Sequence, residues 1–409
     1  MPHLRPSLPR LAQSTGSNTR AAARAALASK TPKPPFPVIP KCPEATCTCS
    51  PMPGGLDIDR EKNLNGTMSP YSQHLIIPTG RSDWTSKIED EKDTAVWGRF
   101  TAEIKTLLGR GGEFHDPYNN ILISTSSFTP WELAKRMKTN TDDGSVQREV
   151  DALLFPAFQH VRGLNLDADP DFPKKFVRSC LLPDPDRLHP IYKDMSETER
   201  LAKTRDPSAG RSLVLKSVEA PTILICSHGQ RDSRCGILGP LLHGEFARYM
   251  DRRGGEIQLV PRSSEFVGRQ ADESGSEDAD ADSDVHRDIE SGGNVDSPDS
   301  SSSSFSQPSS SVSQSSRPTD GKLKRINVNL GMVSHIGGHK WAGNVILYIP
   351  PNFTPDNGTK HPLAGMGIWY GRVEPRHVQG IIEQTLMQGK VIQELFRGGL
   401  TRTGDVLRL

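Results

Sequence analysis

The amino-acid sequence predicts an α/β protein with two folded units. Short apolar runs alternate with segments of helical spacing, first within residues 71–200 and again within residues 215–409. The chain length of 409 residues supports this division, because a domain usually holds about 100–200 residues. We therefore expect two domains in which strands and helices alternate.

The first unit opens with an apolar run that predicts a buried strand at residues 74–77. The spacing of apolar residues then predicts a helix over residues 83–108. Two more strands are predicted at residues 120–124 and 152–156. These elements make the N-terminal unit a small α/β domain.

The second unit repeats the pattern, with a strand predicted at Thr222–Cys226 and a helix over about residues 238–252. A last helix is predicted from Glu374, because Pro375 suits the first helical position. Between these helices, short apolar runs predict strands at residues 257–260, 326–330, 344–349 and 367–370.

Three segments show neither helical nor strand periodicity. The first 43 residues hold seven Lys or Arg and no Asp or Glu, so residues 1–40 are predicted to be a mitochondrial transit peptide, with a disordered tail as the alternative. Residues 41–70 are predicted to be an extended, cysteine-containing segment. Residues 264–320, with an acidic stretch and a serine tract, are predicted to be a disordered insertion in the second unit.

Composition excludes some classes of partner. The 50 Lys and Arg residues balance 49 Asp and Glu residues, so the chain has no overall basic field for nucleic acid. No run of apolar residues is long enough to predict a membrane span. The six cysteines are too dispersed for a disulfide scaffold, and a mitochondrial location, the matrix in preference to the intermembrane space, would keep their thiols reduced.

Two short segments together predict a metal centre. Cys226 and Cys235 delimit the first segment, and His335 and His339 delimit the second. Two thiolates and two imidazoles suit a transition metal or an iron–sulfur cluster. Cys226 ends a predicted strand, at the edge where α/β folds place their sites. The two glycines between the histidines predict a tight loop with both rings turned inward.

The residues beside these four are expected to support the centre. We interpret His228 as a hydrogen-bonding neighbour rather than a ligand, because two thiolates already flank it. Arg231 and Arg234 would favour thiolate over thiol. Lys340 and Asn344 follow the histidines and offer a positive charge and a further hydrogen bond.

The two units share a short similarity. Residues 75–83 and residues 224–232 match in Leu, Ile, Gly and Asp at the same offsets, with Ile77 in the position of Cys226. We interpret this as a duplicated fold in which only the C-terminal copy kept the metal site. Chance similarity is the alternative.

Three strings of residues resemble one protein family. They are Cys-Ser-His-Gly-Gln-Arg-Asp-Ser-Arg-Cys-Gly from Cys226, Ser-His-Ile-Gly-Gly-His-Lys-Trp-Ala-Gly-Asn from Ser334, and Gly-Ile-Trp-Tyr-Gly-Arg-Val-Glu-Pro from Gly367. In these strings the chain resembles the thioredoxin-like 2Fe-2S ferredoxins, also called the sucrase/ferredoxin-like family. The mitochondrial fungal branch, of the altered-inheritance-of-mitochondria type, is the most similar.

The resemblance covers residues 40–409 apart from the insertion. It implies two thioredoxin-like units, of which the C-terminal one carries the cluster. It also implies that Cys226 and Cys235 bind one iron of a 2Fe-2S cluster, while His335 and His339 bind the other. Neutral imidazoles leave the oxidised centre uncharged, so its reduction potential is expected in the Rieske range rather than in that of four-thiolate ferredoxins.

The expected function is electron transfer or redox sensing, more in keeping with a non-enzymatic protein than with an enzyme, with protein redox partners of unknown identity. A structural zinc site with the same four ligands is one alternative. Another is a thiol–disulfide oxidoreductase that uses Cys42, Cys47 and Cys49, although the sequence lacks a Cys-x-x-Cys motif. Cys180 lies in an apolar, strand-like run and is expected to be a buried hydrophobic residue.

Overall fold

The computed structural model describes residues 34–139, 147–253, 256–259, 325–355 and 358–409. The predicted insertion at residues 264–320 and most of the predicted leader lie outside these residues. Within the described residues the protein has the mixed α/β fold that the sequence predicts.

The strands follow the chain in this order: β1 Val38–Ile39, β2 Gln73–Pro78, β3 Ile121–Ser126, β4 Glu149–Phe155, β5 Gln159–Asn165, β6 Val214–Ser217, β7 Thr222–Cys226, β8 Ile257–Leu259, β9 Ile326–Val333, β10 Val345–Tyr348, β11 Gly367–Tyr370, β12 Val391–Ile392, β13 Phe396–Leu400 and β14 Val406–Leu407. The α-helices are α1 Val96–Leu108, α2 Trp131–Thr139, α3 Phe172–Phe176, α4 Glu197–Ala202, α5 Ser233–Arg252 and α6 Val378–Gly380. Short 3-10 turns and two π-helical stretches, Val177–Leu181 and Ile381–Met387, complete the described elements.

One large sheet runs through the described part of the chain. Its strand order is β14-β13-β11-β10-β7-β9-β3-β2-β4-β5-β6, and β8 pairs with β9 beside this path. The two halves of the sheet meet where β3 and β9 pair antiparallel at Ser126 and Val333. Ser334 donates its backbone N–H to Thr125 O at 2.9 Å across the same junction.

Both halves of the sheet repeat one connectivity. In the N-terminal half, β2 lies between a parallel neighbour, β3, and an antiparallel neighbour, β4, which in turn pairs with β5. In the C-terminal half, β7 lies in the same way between β9 and β10, which pairs with β11. The matching segments that contain Ile77 and Cys226 therefore occupy equivalent strands, as the duplication hypothesis requires.

Strand β4 shows how the N-terminal half divides the core between the two faces of its sheet. Leu154 packs with α1 and α3 in a core of the N-terminal half, whereas Leu153 and Phe155 face the core that holds most buried side chains of the C-terminal half. All three side chains are fully buried, and successive side chains of a strand point to opposite faces. The halves are therefore packed against each other through apolar side chains as well as joined by the sheet.

Helix α5 begins earlier than the sequence predicts. Asp232 precedes it and accepts a hydrogen bond from the backbone N–H of Arg234 at 3.1 Å, which satisfies one of the free donors at the helix start. Leu238, Leu242 and Phe246 repeat every four residues and are fully buried. Cys235 thus lies in the first turn of α5 rather than in a loop, because the cap at Asp232 ends the loop first.

The helix predicted over residues 83–108 is shorter in the structure. A 3-10 turn occupies Ile88–Asp93, and α1 begins only at Val96. Residues 83–87 form a loop, because the side chain of Asp83 and the carbonyls of Trp84 and Thr85 are used in hydrogen bonds to the other half of the molecule.

Two other expectations differ from the structure. The run around Cys180 is a π-helical stretch rather than a strand, although its side chain is buried as predicted. Strands β12, β13 and β14 lie after the π-helical stretch that ends at Met387, where the sequence predicts no strand. The adjacent residues Gly398 and Gly399 interrupt the apolar pattern that would predict β13, because glycine is unusual in strands.

The segment before β2 lies against the C-terminal half. We call residues 36–68 the N-terminal strap. In the strap, β1 pairs in parallel with β12, and Asp59 donates its N–H to Lys340 O at 2.9 Å. Phe36 is buried against Phe396. The predicted extended segment thus contacts the half that carries the candidate metal site. None of the described helices has the length and apolar character needed to cross a membrane.

Candidate metal centre

Cys226 and Cys235 meet at the end of β7. Cys226 is the last residue of the strand, and its N–H donates to Asn344 O at 3.0 Å. Cys235 reaches it from the first turn of α5, and both side chains are buried. Their thiols are in hydrogen-bond contact. Strand end and helix start thus place two soft sulfur donors together.

The two thiols differ in their affinity for a proton. The pKa of Cys226 lies well below its usual range, because the Cys235 thiol donates to its sulfur and the His335 imidazole lies beside it, although burial opposes the shift. The pKa of Cys235 lies above its usual range, because its proton is held by Cys226. The proton shared by the pair is therefore held more tightly at Cys235 than at Cys226.

The two histidines lie on a loop that glycine makes possible. Gly337 and Gly338 adopt positive φ angles of 85° and 79°, a conformation that other residues rarely adopt. The rings of His335 and His339 lie 5.3 Å apart between centroids. His335 is half-buried, whereas His339 is exposed, so only His335 turns inward as the sequence analysis expects of both.

The donor atoms of this site fit a soft-metal group. His335 Nδ1 is buried and makes no hydrogen bond within the described structure. A buried nitrogen without a partner is costly unless a ligand takes its lone pair or proton. In the described residues, however, three or more His, Cys, Asp or Glu side chains do not converge in a way that could hold a single metal ion.

His228 fixes the backbone of the histidine loop. Its Nε2 lies 2.9 Å from the carbonyl oxygens of both Trp84 and Thr85, so this nitrogen carries the proton. Its Nδ1 then accepts the backbone N–H of His335 at 3.0 Å. Because both ring nitrogens are used, His228 has no lone pair left for a metal.

The N-terminal half clamps the loop that begins at Cys226. Asp83 accepts the backbone N–H of Gly229 at 2.9 Å, and Ser227 Oγ donates to Ser82 O at 2.8 Å. The site is therefore held by loops from both halves, although all four candidate ligands belong to the C-terminal half. Sequence spacing could not show this, because 146 positions separate Asp83 from Gly229.

The remaining predicted neighbours have distinct roles. Arg234 is paired with Asp232 at 2.8 Å, and Arg231 donates to a backbone carbonyl of the N-terminal half. Lys340 Nζ lies 4.5 Å from the centroid of the Trp341 ring. Asn344 donates to Gly338 O at 3.1 Å and so braces the histidine loop.

Arg397 is a site residue that the sequence analysis missed. Its side chain is almost fully buried and donates to Gly337 O at 3.1 Å and to Asn344 Oδ1 at 2.6 Å. The one signal in the sequence is a charged residue between Phe396 and the glycines of an apolar run. Nothing in that run indicates which loop the guanidinium contacts.

The three N-terminal cysteines of the strap make two different sets of contacts. The Cys42 thiol packs against Gly380 and lies 3.7 Å from the carbonyl oxygen of His377. Burial raises its pKa to about 12. Cys49 instead donates to Cys47 O at 3.4 Å. Among the three, Cys47 and Cys49 are the pair whose thiols interact.

The sequence matches one protein family and a set of fungal relatives. The profile of the family described as Sucrase/ferredoxin-like matches residues 64–398. A protein named "Altered inheritance of mitochondria protein 32" from Debaryomyces hansenii is 25% identical over 371 residues, covering 88% of this chain and 95% of that protein. Its namesake from Meyerozyma guilliermondii is 24% identical over 358 residues, covering 86% and 89%.

A shorter segment is more similar to other relatives. The protein of the same name from Candida glabrata is 42% identical over 73 residues, which is 18% of this chain and 21% of that protein. No solved structure matches the chain.

Proposed function

We propose that this chain, which belongs to the sucrase/ferredoxin-like family, is a 2Fe-2S protein that transfers electrons or senses redox state. Cys226 and Cys235 would hold one iron, and His335 and His339 would hold the other. Such a cluster supplies reversible one-electron transfer at a potential above that of four-thiolate ferredoxins. No catalytic chemistry is assigned to the chain itself.

One observation carries the proposal. Cys235 and His335 both lie near enough to Cys226 to lower its pKa, although the two segments are far apart in the chain, and Nδ1 of His335 is buried without a partner. A zinc site would need all four side chains to converge on one ion. A two-iron cluster instead takes a cysteine pair on one iron and a histidine pair on the other.

The residues of the proposed site differ in their exposure to solvent, and we expect their roles to differ accordingly. Burial of both cysteines excludes water from the sulfurs, so this end of the site is protected from oxidation and exchange. His339 is exposed and lies near Asp232, whose pKa is lowered mainly by Arg234 and to a smaller extent by His339. We infer that electrons and protons exchange at the His339 edge, since the cysteine edge is closed.

We also propose that each half is a thioredoxin-like unit and that the protein acts in mitochondria. The repeated connectivity of β2–β5 and of β7–β11 supports the first proposal. The names of the relatives and the basic composition of the first 33 residues support the second. The matrix is proposed over the intermembrane space because it keeps thiols reduced, and fractionation of tagged protein tests this.

Absorption and EPR spectra of the purified full-length protein test the cluster. We expect a coloured protein with two irons and two acid-labile sulfides per chain and an EPR signal that appears on reduction. His335→Cys and His339→Cys should each lower the midpoint potential, because a thiolate adds negative charge. His115→Cys is the matched control, since His115 is an exposed histidine of the N-terminal half.

Two outcomes would overturn the proposal. A colourless protein with one zinc per chain after anaerobic purification would assign the site to structural zinc. Unchanged spectra and potential in both histidine variants would place the ligands elsewhere. If the cluster is present, mixing it with a protein electron donor separates the two functions. Repeated turnover would indicate electron transfer, whereas a change of oxidation state without turnover would indicate sensing.

A further inference from the structure

Arg397 is a buried cation whose hydrogen-bond partners in the described structure are all neutral. Its guanidinium donates to Thr67 O at 3.0 Å, Thr67 Oγ1 at 3.2 Å, Gly337 O at 3.1 Å and Asn344 Oδ1 at 2.6 Å. Its side chain is 2% exposed. A buried charge that lacks an opposite charge is strongly unfavourable. The described ion pairs of the protein do not include Arg397.

The surroundings of Arg397 exclude water and carboxylates alike. The guanidinium lies between two indole rings, 5.1 Å from the centroid of Trp341 and 5.6 Å from that of Trp369. On a third side it touches Gly338, where a Cβ atom would come within 2.5 Å of the nearer guanidinium nitrogen. These contacts surround the guanidinium on three sides.

The opposite charges that act on Arg397 are sulfurs. Burial lowers the pKa of Arg397 to about 10, and the charges of Cys226 and Cys235 act against that shift. The side chain therefore lies within electrostatic reach of both sulfurs while it holds the histidine loop through Gly337 O. In a bound 2Fe-2S cluster the two thiolates only balance the charge of the oxidised core, so the negative charge that the buried cation lacks would arise on reduction.

We propose that Arg397 is the positioning residue that compensates the negative charge which the metal centre gains on reduction, and so raises its reduction potential. The proposal rests on the 2Fe-2S function proposed above. A fixed positive charge favours the oxidation state with the more negative charge, which is the reduced state. In a dry site this effect is larger than in water, because less solvent screens it. Arg397 also fixes the backbone turn that presents the two histidines.

Redox titration of the purified full-length protein and of two variants tests the role of Arg397. Arg397→Gln removes the charge and keeps a hydrogen-bond donor, so at a fixed ambient potential we expect the ratio of reduced to oxidised centre to fall at least about tenfold, or 59 mV. Arg397→Lys keeps the charge and loses the forked donor, so its ratio should stay within about threefold of wild type.

The matched controls are Arg162→Gln and Arg162→Lys. Arg162 is also buried, and its guanidinium lies 3.9 Å from the centroid of the Trp131 ring, but it belongs to the N-terminal half. Its variants should leave the potential unchanged. A general loss of packing around a buried arginine would instead shift both pairs of variants.

The outcomes separate this proposal from the proposed function. If wild type binds no 2Fe-2S cluster, the proposed function fails. If wild type binds the cluster and Arg397→Gln keeps the wild-type potential, only the role of Arg397 is overturned. Equal shifts in the Gln and Lys variants would also overturn it, because charge would then not be the cause. If Arg397→Gln does not retain the cluster, a Lys variant with the wild-type potential and cluster content still supports the role of the charge.

Discussion

The two halves of the sheet share one connectivity but differ in what lies at the end of their first strand. At the end of β7 the C-terminal half has Cys226, and at the same place in β2 the N-terminal half has Ile77. Beyond the apolar end of β2, Trp84 is fully buried and donates to Thr79 Oγ1 at 3.0 Å. In the C-terminal half, by contrast, the buried His335 Nδ1 lacks a partner.

The half without the candidate metal site still supports the half that carries it. Asp232 and Asp83 occupy matching positions in the two similar segments. Asp232 caps its own helix, whereas Asp83 accepts the backbone N–H of Gly229 in the other half. The N-terminal half thus uses the loop at Asp83 as a support for the candidate site of the C-terminal half.

The largest effect, a loss of bound iron, is expected from substitution of Cys226, the residue that distinguishes the two halves. Cys226→Ser replaces a soft ligand by a hard one, so bound iron should fall by at least about tenfold. Metal analysis of the anaerobically purified protein measures this. Cys180→Ser, which alters a buried cysteine of the N-terminal half, should leave the iron content unchanged. Full iron content in the Cys226 variant would mean that the halves do not differ as proposed.

A second pair of variants tests how tightly the histidine loop is held. Gly338→Ala should lower the free energy of unfolding by about 2–4 kcal/mol, because a positive φ angle costs about 1–2 kcal/mol and the Cβ would also collide with Arg397. Gly337→Ala has the same backbone conformation and open space around it, so it should cost only about 1–2 kcal/mol.

Denaturant unfolding of both glycine variants supplies the measurement. Equal losses of unfolding free energy at the two positions would show that Arg397 does not collide with a Cβ atom at position 338. A larger cost at Gly338 that disappears in a background of Arg397→Gln would identify the guanidinium as the obstacle.

The junction between the halves should make stability depend on pH through His74. This side chain is fully buried between Ser124 and Tyr348, with ring nitrogens 2.9 and 3.0 Å from their hydroxyl oxygens. Burial lowers its pKa to about 3, whereas an unfolded histidine has a pKa of about 6.5. Below pH 6.5 the unfolded state binds a proton that the folded state does not bind, so stability is lost as the pH falls towards 3.

The His74 effect amounts to about 2 kcal/mol at pH 5, because each pH unit below the unfolded pKa costs about 1.4 kcal/mol. His74→Gln should abolish this component of the pH dependence, and His115→Gln, at an exposed histidine, should not. Unfolding free energies between pH 5 and 7.5 check the slope. An unchanged slope in the His74 variant would show that this histidine is not kept neutral by the junction.

The smallest effect concerns the strap cysteines outside the site. Because the pKa of the Cys42 thiol is raised to about 12 by burial, Cys42 should be alkylated at least about tenfold more slowly than Cys47 in the native protein at pH 8. Mass spectrometry after timed treatment with iodoacetamide measures both rates. Similar rates would mean that the strap separates easily from the C-terminal half.

Several features could be predicted from local patterns, and others could not. Strand β7 and strand β11 follow from buried apolar runs, and their bounds agree with the prediction. The start of α5 differs because the cap at Asp232 is a hydrogen bond rather than a hydrophobic pattern. The loop at residues 83–87 looks helical in sequence, yet its polar groups are taken by a segment more than 140 positions away.

The chemistry of the candidate site follows from its residue types: two thiols and two imidazoles, with glycines that permit the loop between His335 and His339. Which groups surround them depends on how remote segments pack. Arg397 reaches the site from the last strands, Thr67 from the strap 330 positions away, and the Trp84 carbonyl from the other half. The reason is physical, because residue types specify what an atom can bind, whereas burial and distance between remote segments arise only when the halves pack.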